Sequence, residues 1–164
     1  LIDIRRGQLS RIERSFNEIQ SSIDKSNFVQ EDTQDLENPK FTILKERVRI
    51  LNRLEKMAEN AEEDVVLILG KFGILPIFRG NTIQSINDAA ERGVRVRILA
   101  QLDRRTIRFY RDIHGSIEVR HSDDLDAQGV VKDTSEVIQY LSSDENPVGK
   151  GKNDAALVLS LIHI

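Results

Sequence analysis

The sequence predicts an α/β fold, a mixed β-sheet flanked by helices, preceded by a separate N-terminal helix. Two observations indicate this class. From Phe41 onward, amphipathic helical patterns alternate with short β-branched runs, an order typical of α/β layers with right-handed crossovers. Before residue 27, apolar residues recur every seven positions instead, which is typical of a coiled-coil helix.

The N-terminal segment, residues 1–26, predicts a dimerisation helix. Its apolar heptad positions are broken once, at Arg5, and a seam of this kind pairs two helices in a coiled coil. An amphipathic helix packed on its own domain is the alternative. The residues expected at the dimer seam are Ile2, Leu9, Ile12, Phe16, Ile19 and Ile23.

Residues 27–40 are polar and acidic and end in Asn-Pro, so they predict a linker. The next pattern, within residues 41–63, predicts a helix. Its expected buried stripe consists of Leu44, Val48, Leu51, Leu54, Met57 and Ala61.

The rest of the third segment, which runs to residue 164, alternates strands and helices. Gly93 and Gly115 are the expected helix stops, and the turn of an antiparallel hairpin is expected at Asp133-Thr134-Ser135. In order, we expect a strand at 64–70, a helix at 82–93, a strand at 94–100, a short helix ending at 115, a strand at 117–121, the hairpin from 129 and a last strand at 154–160.

Composition limits the class of protein. The chain has 164 residues, 39% hydrophobic and 31% charged, enough for one domain with a core plus one further element. No apolar run approaches the roughly 20 residues that span a bilayer, and the start lacks a signal-peptide pattern. The chain has no cysteine, which excludes disulfides and thiolate metal sites, so we expect a cytoplasmic protein.

The formal net charge is -3. Because free-standing nucleic-acid binders are usually basic, we expect DNA contact only through a further domain. The chain begins with Leu1 rather than Met and ends in an apolar run. We therefore interpret it as a fragment, and we give residues 160–164 little biological weight.

One motif has the spacing of a known catalytic signature. Asp126-x-Gln128-x4-Asp133 resembles the His-x-Lys-x4-Asp motif of the phospholipase D superfamily, in which the histidine attacks phosphorus and the lysine clamps phosphate oxygens. Here Asp126 stands at the histidine position and Gln128 at the lysine position. Asp126 would repel a phosphodiester and Gln128 cannot neutralise it, so we expect the fold without the phosphodiesterase chemistry.

No other residues replace that pair. The three histidines and the absence of cysteine leave no nucleophilic triad and no H-E-x-x-H metal site. We therefore expect a protein that is not an enzyme and has neither metal nor cofactor.

Five sequence segments, taken in chain order, resemble the effector region of archaeal TrmB-type transcriptional regulators. They are "FTILKERVRILNRLEKMAENAEEDVVLI", "INDAAERGVRVRIL", "IEVRH", "GVVKDTSEVI" and "DAALV". They cover about three quarters of the chain. The resemblance implies a winged helix-turn-helix, a dimerising coiled coil and a phospholipase D-like domain without catalytic residues. No winged helix is expected before Phe41. Either a DNA-binding domain precedes Leu1, which the missing Met favours, or the protein has no DNA-binding domain.

This reading implies a homodimer that senses a small-molecule effector such as a sugar. Ligands of open α/β sheets bind at the carboxyl ends of the strands. The residues expected to contact the ligand are Lys71, Phe72, Gln101, Asp103, His121, Ser122, Asp126, Gln128 and Asp133. Two alternatives stay open: a divergent phosphodiesterase or nuclease completed across a dimer, and a dimerising scaffold without ligand.

Overall fold

The computed structural model describes Arg14, Asn17 and residues 40–143 and 145–161. The chain divides into two compact units, Leu1–Asp35 and Leu36–Ile164. In the first unit, Arg14 and Asn17 are helical and exposed. The expected dimerisation helix stays a prediction because its seam lies outside the described residues: Ile2, Leu9, Ile12, Phe16, Ile19 and Ile23.

The second unit alternates strands and helices. No helix of the described part of the chain is long and apolar enough to cross a membrane. The elements are β1 (Lys40–Lys45), α1 (Arg47–Glu59), β2 (Asp64–Leu69), α2 (Ile74–Arg79), α3 (Thr82–Glu91), β3 (Arg95–Ala100), a 3₁₀ helix (Ile107–Asp112), β4 (Glu118–His121), β5 (Gly129–Lys132), β6 (Glu136–Ser142) and β7 (Ala155–Ser160).

One seven-stranded sheet holds these strands in the order β1-β7-β6-β5-β2-β3-β4. Strands β2, β3 and β4 run parallel, and the remaining neighbours are antiparallel. The predicted mixed sheet flanked by helices is therefore confirmed. Ser160, which we gave little weight from the sequence, ends β7 opposite Lys40 and Glu136.

The core forms where α1 and α3 cover one face of the sheet. Side chains of β2 alternate, so Val65, Leu67 and Leu69 are buried and share one core with Leu54 of α1 and Ile86 of α3. Each fully buried side chain of this size contributes about 1.5–3 kcal/mol relative to leaving it exposed. This packing fixes β2 as an interior strand of the sheet, between β5 and β3, and the site is built at its end.

The start of the first helix differs from the prediction. We expected Leu44 and Val48 on its buried stripe, but Leu44 belongs to β1 and pairs with Ala156, and Val48 is 55% exposed. Glu46 has a φ of 74°, outside the helical region, so α1 begins at Arg47. Its buried apolar residues are Ile50, Leu54, Met57 and Ala58.

Helix α2 is absent from the prediction. It has only six residues with Pro76 among them, and a helix this short has no measurable 3.6-residue period. Proline is tolerated there because the first turn of a helix needs no donor to an earlier carbonyl. The predicted short helix before Gly115 is present as 3₁₀ turns.

The hairpin of β5 and β6 is present where the sequence predicted it, and its turn is formed by the first two of the three expected residues. Asp133 and Thr134 have φ values of 49° and 53°, and the amide of Ser135 donates to the carbonyl of Lys132 at 2.9 Å. Two consecutive positive φ angles are the signature of a type I′ turn, whose twist matches that of the paired strands.

Gly129 should not tolerate a side chain, because a Cβ there would lie 2.5 Å from the carbonyl oxygen of Ile138 on the neighbouring strand. We expect Gly129→Ala to lower the free energy of unfolding by about 1–3 kcal/mol, the usual cost of overpacking. Gly115→Ala is the control, since a Cβ there meets nothing within 4 Å. Urea denaturation of both variants measures the difference, and equal stabilities would contradict it.

Candidate functional site

A crevice of about 250 Å³ opens where β2 ends, between the start of α1, helix α2 and the β5–β6 hairpin. Its floor is apolar, and its polar groups come from five separate stretches of the chain. The apolar lining includes Leu54, Leu69, Ile77 and Val130. The polar lining includes Arg47, Lys71, Gln128, Tyr140, Ser143, Glu145 and Asp154.

Gln128 enters the crevice directly before β5. Its carbonyl accepts hydrogen bonds from the amide of Tyr140 at 3.0 Å and from Nε2 of Gln139 at 3.2 Å. Its side chain lies over Gly70, where an added Cβ would be 2.6 Å from Nε2 of Gln128. Gly70, directly after β2, therefore leaves the space that the glutamine amide occupies at the crevice.

Lys71 and Asp103 link the ends of β2 and β3 at the crevice mouth, with Nζ 3.2 Å from the carboxylate. The pKa of Asp103 is lowered to about 2, first by the backbone amide of Arg105 and then by the side chains of Arg105 and Lys71, against desolvation that raises it. Asp103 is thus a fixed anion. Lys71 shares this carboxylate with Arg105 and is therefore not an isolated cation.

A buried ion pair closes the inner end of the crevice. Nε of Arg47 donates to Asp154 at 2.7 Å, with the two side chains 9% and 3% exposed. Nη1 of Arg47 also donates to the carbonyls of Asn146 at 3.1 Å and Gly149 at 2.9 Å. The guanidinium therefore holds the loop between β6 and β7 against the start of α1.

The backbone around this pair is equally close. The amide of Glu46 donates to the carbonyl of Asp154 at 2.8 Å, and the amide of Arg47 to that of Gly151 at 3.0 Å. Gly151 has a φ of 58°, and a Cβ there would lie 2.5 Å from Cβ of Arg47. Only glycine allows the loop to approach the helix start so closely.

Tyr140 projects from β6 into the same space. Burial raises the pKa of its hydroxyl to about 12, and the negative charge of Asp154 adds to the increase while Arg47 opposes it. The phenol therefore stays protonated at neutral pH and can act as a hydrogen-bond donor.

Three of the residues predicted to contact a ligand meet in the crevice, namely Lys71, Phe72 and Gln128. Asp103 reaches it only by its contact with Lys71. Sequence reasoning missed Arg47, Tyr140 and Asp154, because Arg47 and Asp154 are 107 positions apart and no local pattern connects them.

Four further predicted residues lie outside the crevice lining: Gln101, His121, Ser122 and Asp126. His121 is occupied by its own neighbours: Nδ1 accepts the amide of Leu102 at 3.1 Å, and Nε2 lies 3.1 Å from Asp123. Asp126 is exposed. Among the described residues that line the crevice there is no histidine, and no group of three or more histidines and carboxylates in the described chain could hold a metal.

Asp133 lies at the opposite end of the sheet, which corrects its expected place in the crevice. Its carboxylate accepts the amides of Glu62, Glu63 and Asp64 at 3.0, 2.8 and 2.8 Å, at the start of β2 rather than its end. The six residues of β2 separate the two ends by about 20 Å. The aspartate of the motif therefore anchors the hairpin turn to the start of β2.

Comparison with known proteins places the fold. No protein-family model matches the sequence, and no curated protein matches it. Solved structures do. NucT from Helicobacter pylori aligns with a TM-score of 0.58 at 17% identity over 75% of this chain and 86% of its own. Nuc from Salmonella typhimurium, a phospholipase D family member, aligns with a TM-score of 0.58 at 18% identity, over 76% of this chain and 85% of its own.

TrmBL2, an archaeal chromatin protein, aligns over 94% of this chain with a TM-score of 0.53 at 14% identity. The chain spans 59% of the length of TrmBL2. Likenesses at these identities show the fold alone, and the fold they show is phospholipase D-like.

The Arg47–Asp154 pair generates a stability prediction. Asp154→Asn leaves the buried guanidinium without its counter-ion, and removing one member of a buried pair typically costs about 3–5 kcal/mol. Glu118→Gln is the matched control, since it breaks the exposed pair with Arg120 and should cost less than about 1 kcal/mol. Thermal unfolding of both variants measures the difference. Similar losses would show that the buried pair is not a principal support.

Asp133 generates a pH prediction. Partial burial acts to raise its pKa, but the three backbone amides together with Lys132 outweigh it and the pKa is lowered. A carboxyl with a lowered folded-state pKa stabilises the fold above the unfolded value of about 3.9 and loses that contribution as pH falls through the folded value. Asn tolerates the positive φ of the turn, so Asp133→Asn removes the charge and replaces one of the two acceptor oxygens with an amide nitrogen that cannot accept.

We therefore expect Asp133→Asn to be less stable than the parent at neutral pH, with the difference shrinking as pH falls below about 4. Urea denaturation across that pH range measures it. Asp124→Asn, at an exposed loop position, is the control. A stability difference for Asp133→Asn that is independent of pH would contradict the role of the charge.

Proposed function

We propose that this chain is the dimerising and small-molecule-sensing part of a TrmB-like transcriptional regulator, without catalytic activity. The crevice at the end of β2 is its effector site. The observation that carries the proposal is the chemistry of that crevice. Gln128 stands where the phospholipase D motif has its lysine, and no histidine is among the lining residues that the structure describes.

The crevice favours a small, uncharged, hydroxyl-rich ligand. Its volume of about 250 Å³ is below the range of about 300–1,000 Å³ common for drug-sized ligands. Its cations are engaged within the protein, because Arg47 pairs with Asp154 and Lys71 bonds Asp103, which it shares with Arg105. A polyanion would find little uncompensated positive charge there, whereas a sugar could hydrogen-bond to Gln128 and stack against Phe72.

The same contacts suggest how binding reaches the rest of the protein. The loop that lines the crevice is held by Arg47, the first residue of α1. Strand β1 lies directly before α1 in the sequence, and it begins at Lys40, the last residue of the linker predicted at 27–40. A ligand that shifts this loop would therefore bias the start of α1 and β1, and through the linker the coiled-coil helix. Coupling between two sites is typically about 1–3 kcal/mol, or roughly 5–150-fold in affinity.

DNA reading by a domain preceding Leu1 and homodimerisation through the N-terminal helix belong to the same proposal. TrmBL2 is described as an archaeal chromatin protein with a novel mode of DNA binding. The alignment over 94% of this chain supports placing this chain in such an architecture.

The proposal predicts stabilisation by a hydroxyl-rich ligand. The test is a thermal-shift panel of mono- and disaccharides, amino acids and phosphorylated metabolites. A neutral polyol should raise the unfolding temperature, because a ligand at 100 times its Kd adds about 2.7 kcal/mol to the free energy of unfolding. Gln128→Leu should lower the affinity for that ligand roughly tenfold, because the substitution removes a hydrogen-bonding amide. Gln84→Leu on the exposed face of α3 is the same chemical change away from the crevice and should leave the affinity unchanged.

Two results would contradict the proposal, each in favour of a different function. If no compound in the panel stabilises the chain, the scaffold without ligand is the better function. The fold shared with Nuc and NucT favours a phosphodiesterase as the second candidate. Turnover of a generic phosphodiester substrate by the parent chain, lost in His121→Ala, would establish that enzyme instead.

A further inference from the structure

A second groove lies on the other side of Phe72, between α2 and the 3₁₀ helix. Its volume is about 360 Å³. We call it the arginine groove after Arg79, Arg105 and Arg108, which line it beside three phenylalanines; Leu75, Thr106 and Val148 complete its wall. The effector proposal does not use it.

The charge of this groove is positive and poorly compensated. None of its described lining residues is acidic. The carboxylate that bonds Arg105 is Asp103, which is shared with Lys71. Arg79 donates to the carbonyl of Val148 at 2.9 Å, and Arg108 has no carboxylate partner among the described residues. The sequence "RRTIRFYR", residues 104–111, adds two more arginines and no acid.

Two of the guanidinium groups lie over aromatic rings. Cζ of Arg105 is 5.2 Å from the centroid of Phe72, and Cζ of Arg108 is 4.9 Å from that of Phe109. Such contacts hold an arginine in place while its planar fork of donors stays available for a phosphate. Both side chains are exposed, so an anion can reach them from solvent.

The apolar wall offers a surface for a flat group. Phe78 and Phe109 meet edge to face with centroids 5.2 Å apart, and both are only half-buried. Nucleobases stack on aromatic rings and on guanidinium planes. Arginines beside partly accessible aromatic rings therefore match a ligand that combines a phosphate with a base.

We infer that the arginine groove binds a nucleotide, with its phosphate on Arg105 and Arg108 and its base against the Phe78–Phe109 wall. The nucleotide is either a free nucleoside phosphate or a unit of a single-stranded nucleic acid. The negative net charge of the chain does not oppose this, because short-range recognition of phosphate depends on local charge, and other charges beyond about 10 Å are largely screened at ordinary salt.

The test measures binding by the full chain, using ATP in calorimetry and a short labelled oligodeoxythymidine in fluorescence anisotropy. Arg108→Gln should lower the affinity for the nucleotide about tenfold or more, which is the loss expected for one hydrogen bond to a charged group. Arg120→Gln removes the same charge from β4 and should change the affinity by less than about twofold. Because both arginines are exposed, the variants should fold, which circular dichroism checks.

The two ligands separate the sources of the nucleotide. Tighter binding of ATP indicates a free nucleoside phosphate, and tighter, salt-sensitive binding of the oligonucleotide indicates a nucleic acid. Inorganic triphosphate or polyglutamate binding as tightly as ATP would overturn the inference, because the base would then contribute nothing. Equal weakening by Arg108→Gln and Arg120→Gln would overturn it too, as would no binding of either nucleotide probe. A Gln128→Leu variant should bind both probes like the parent, which separates this inference from the effector proposal.

Discussion

The ion pair of Arg47 and Asp154 is the interaction on which the site depends. It joins the first residue of α1 to the residue before β7, and through Asn146 and Gly149 it also holds the intervening loop. Burying two charges is costly unless their hydrogen bonds are made. Here both partners are engaged, so the pair acts as a rigid link among three elements rather than as a simple gain in stability.

The motif that resembles a catalytic signature divides into two structural parts. Gln128 projects into the crevice at the end of β2, whereas Asp133 caps three amides at the start of that strand. The role of Asp133 is architectural and does not require a histidine or lysine at the other two positions. This explains in physical terms how a chain can have Asp-x-Gln-x4-Asp and keep the hairpin in place.

Phe72 separates two surfaces of different character. On one side, the crevice has its cations paired within the protein, which favours a neutral polar ligand. On the other, the arginine groove presents guanidinium groups on aromatic rings with no acidic residue in its described lining, which favours an anion. Because Phe72 lines both, a ligand in one could alter the other through that ring.

Local patterns alone predicted the elements in which the side-chain pattern repeats several times or the turn sequence is distinctive. Strands β2 and β3, helix α3 and the hairpin at Asp133 and Thr134 were all read from neighbouring residues, since alternation, helical stripes and turn chemistry act over a few positions. Helix α2 escaped because six residues carry no period. The start of α1 was misplaced because strand pairing of Leu44 with Ala156 overrides its helical pattern.

The crevice required the tertiary structure. Lys71, Phe72 and Gln128 could be proposed from strand ends, but Arg47 and Asp154 meet only after the chain has folded across 107 positions. Asp133 was assigned to the wrong end of the sheet, because the antiparallel register of β5 against β2 decides that placement. Short-range pattern determines which elements form, whereas sheet order and register decide which side chains meet.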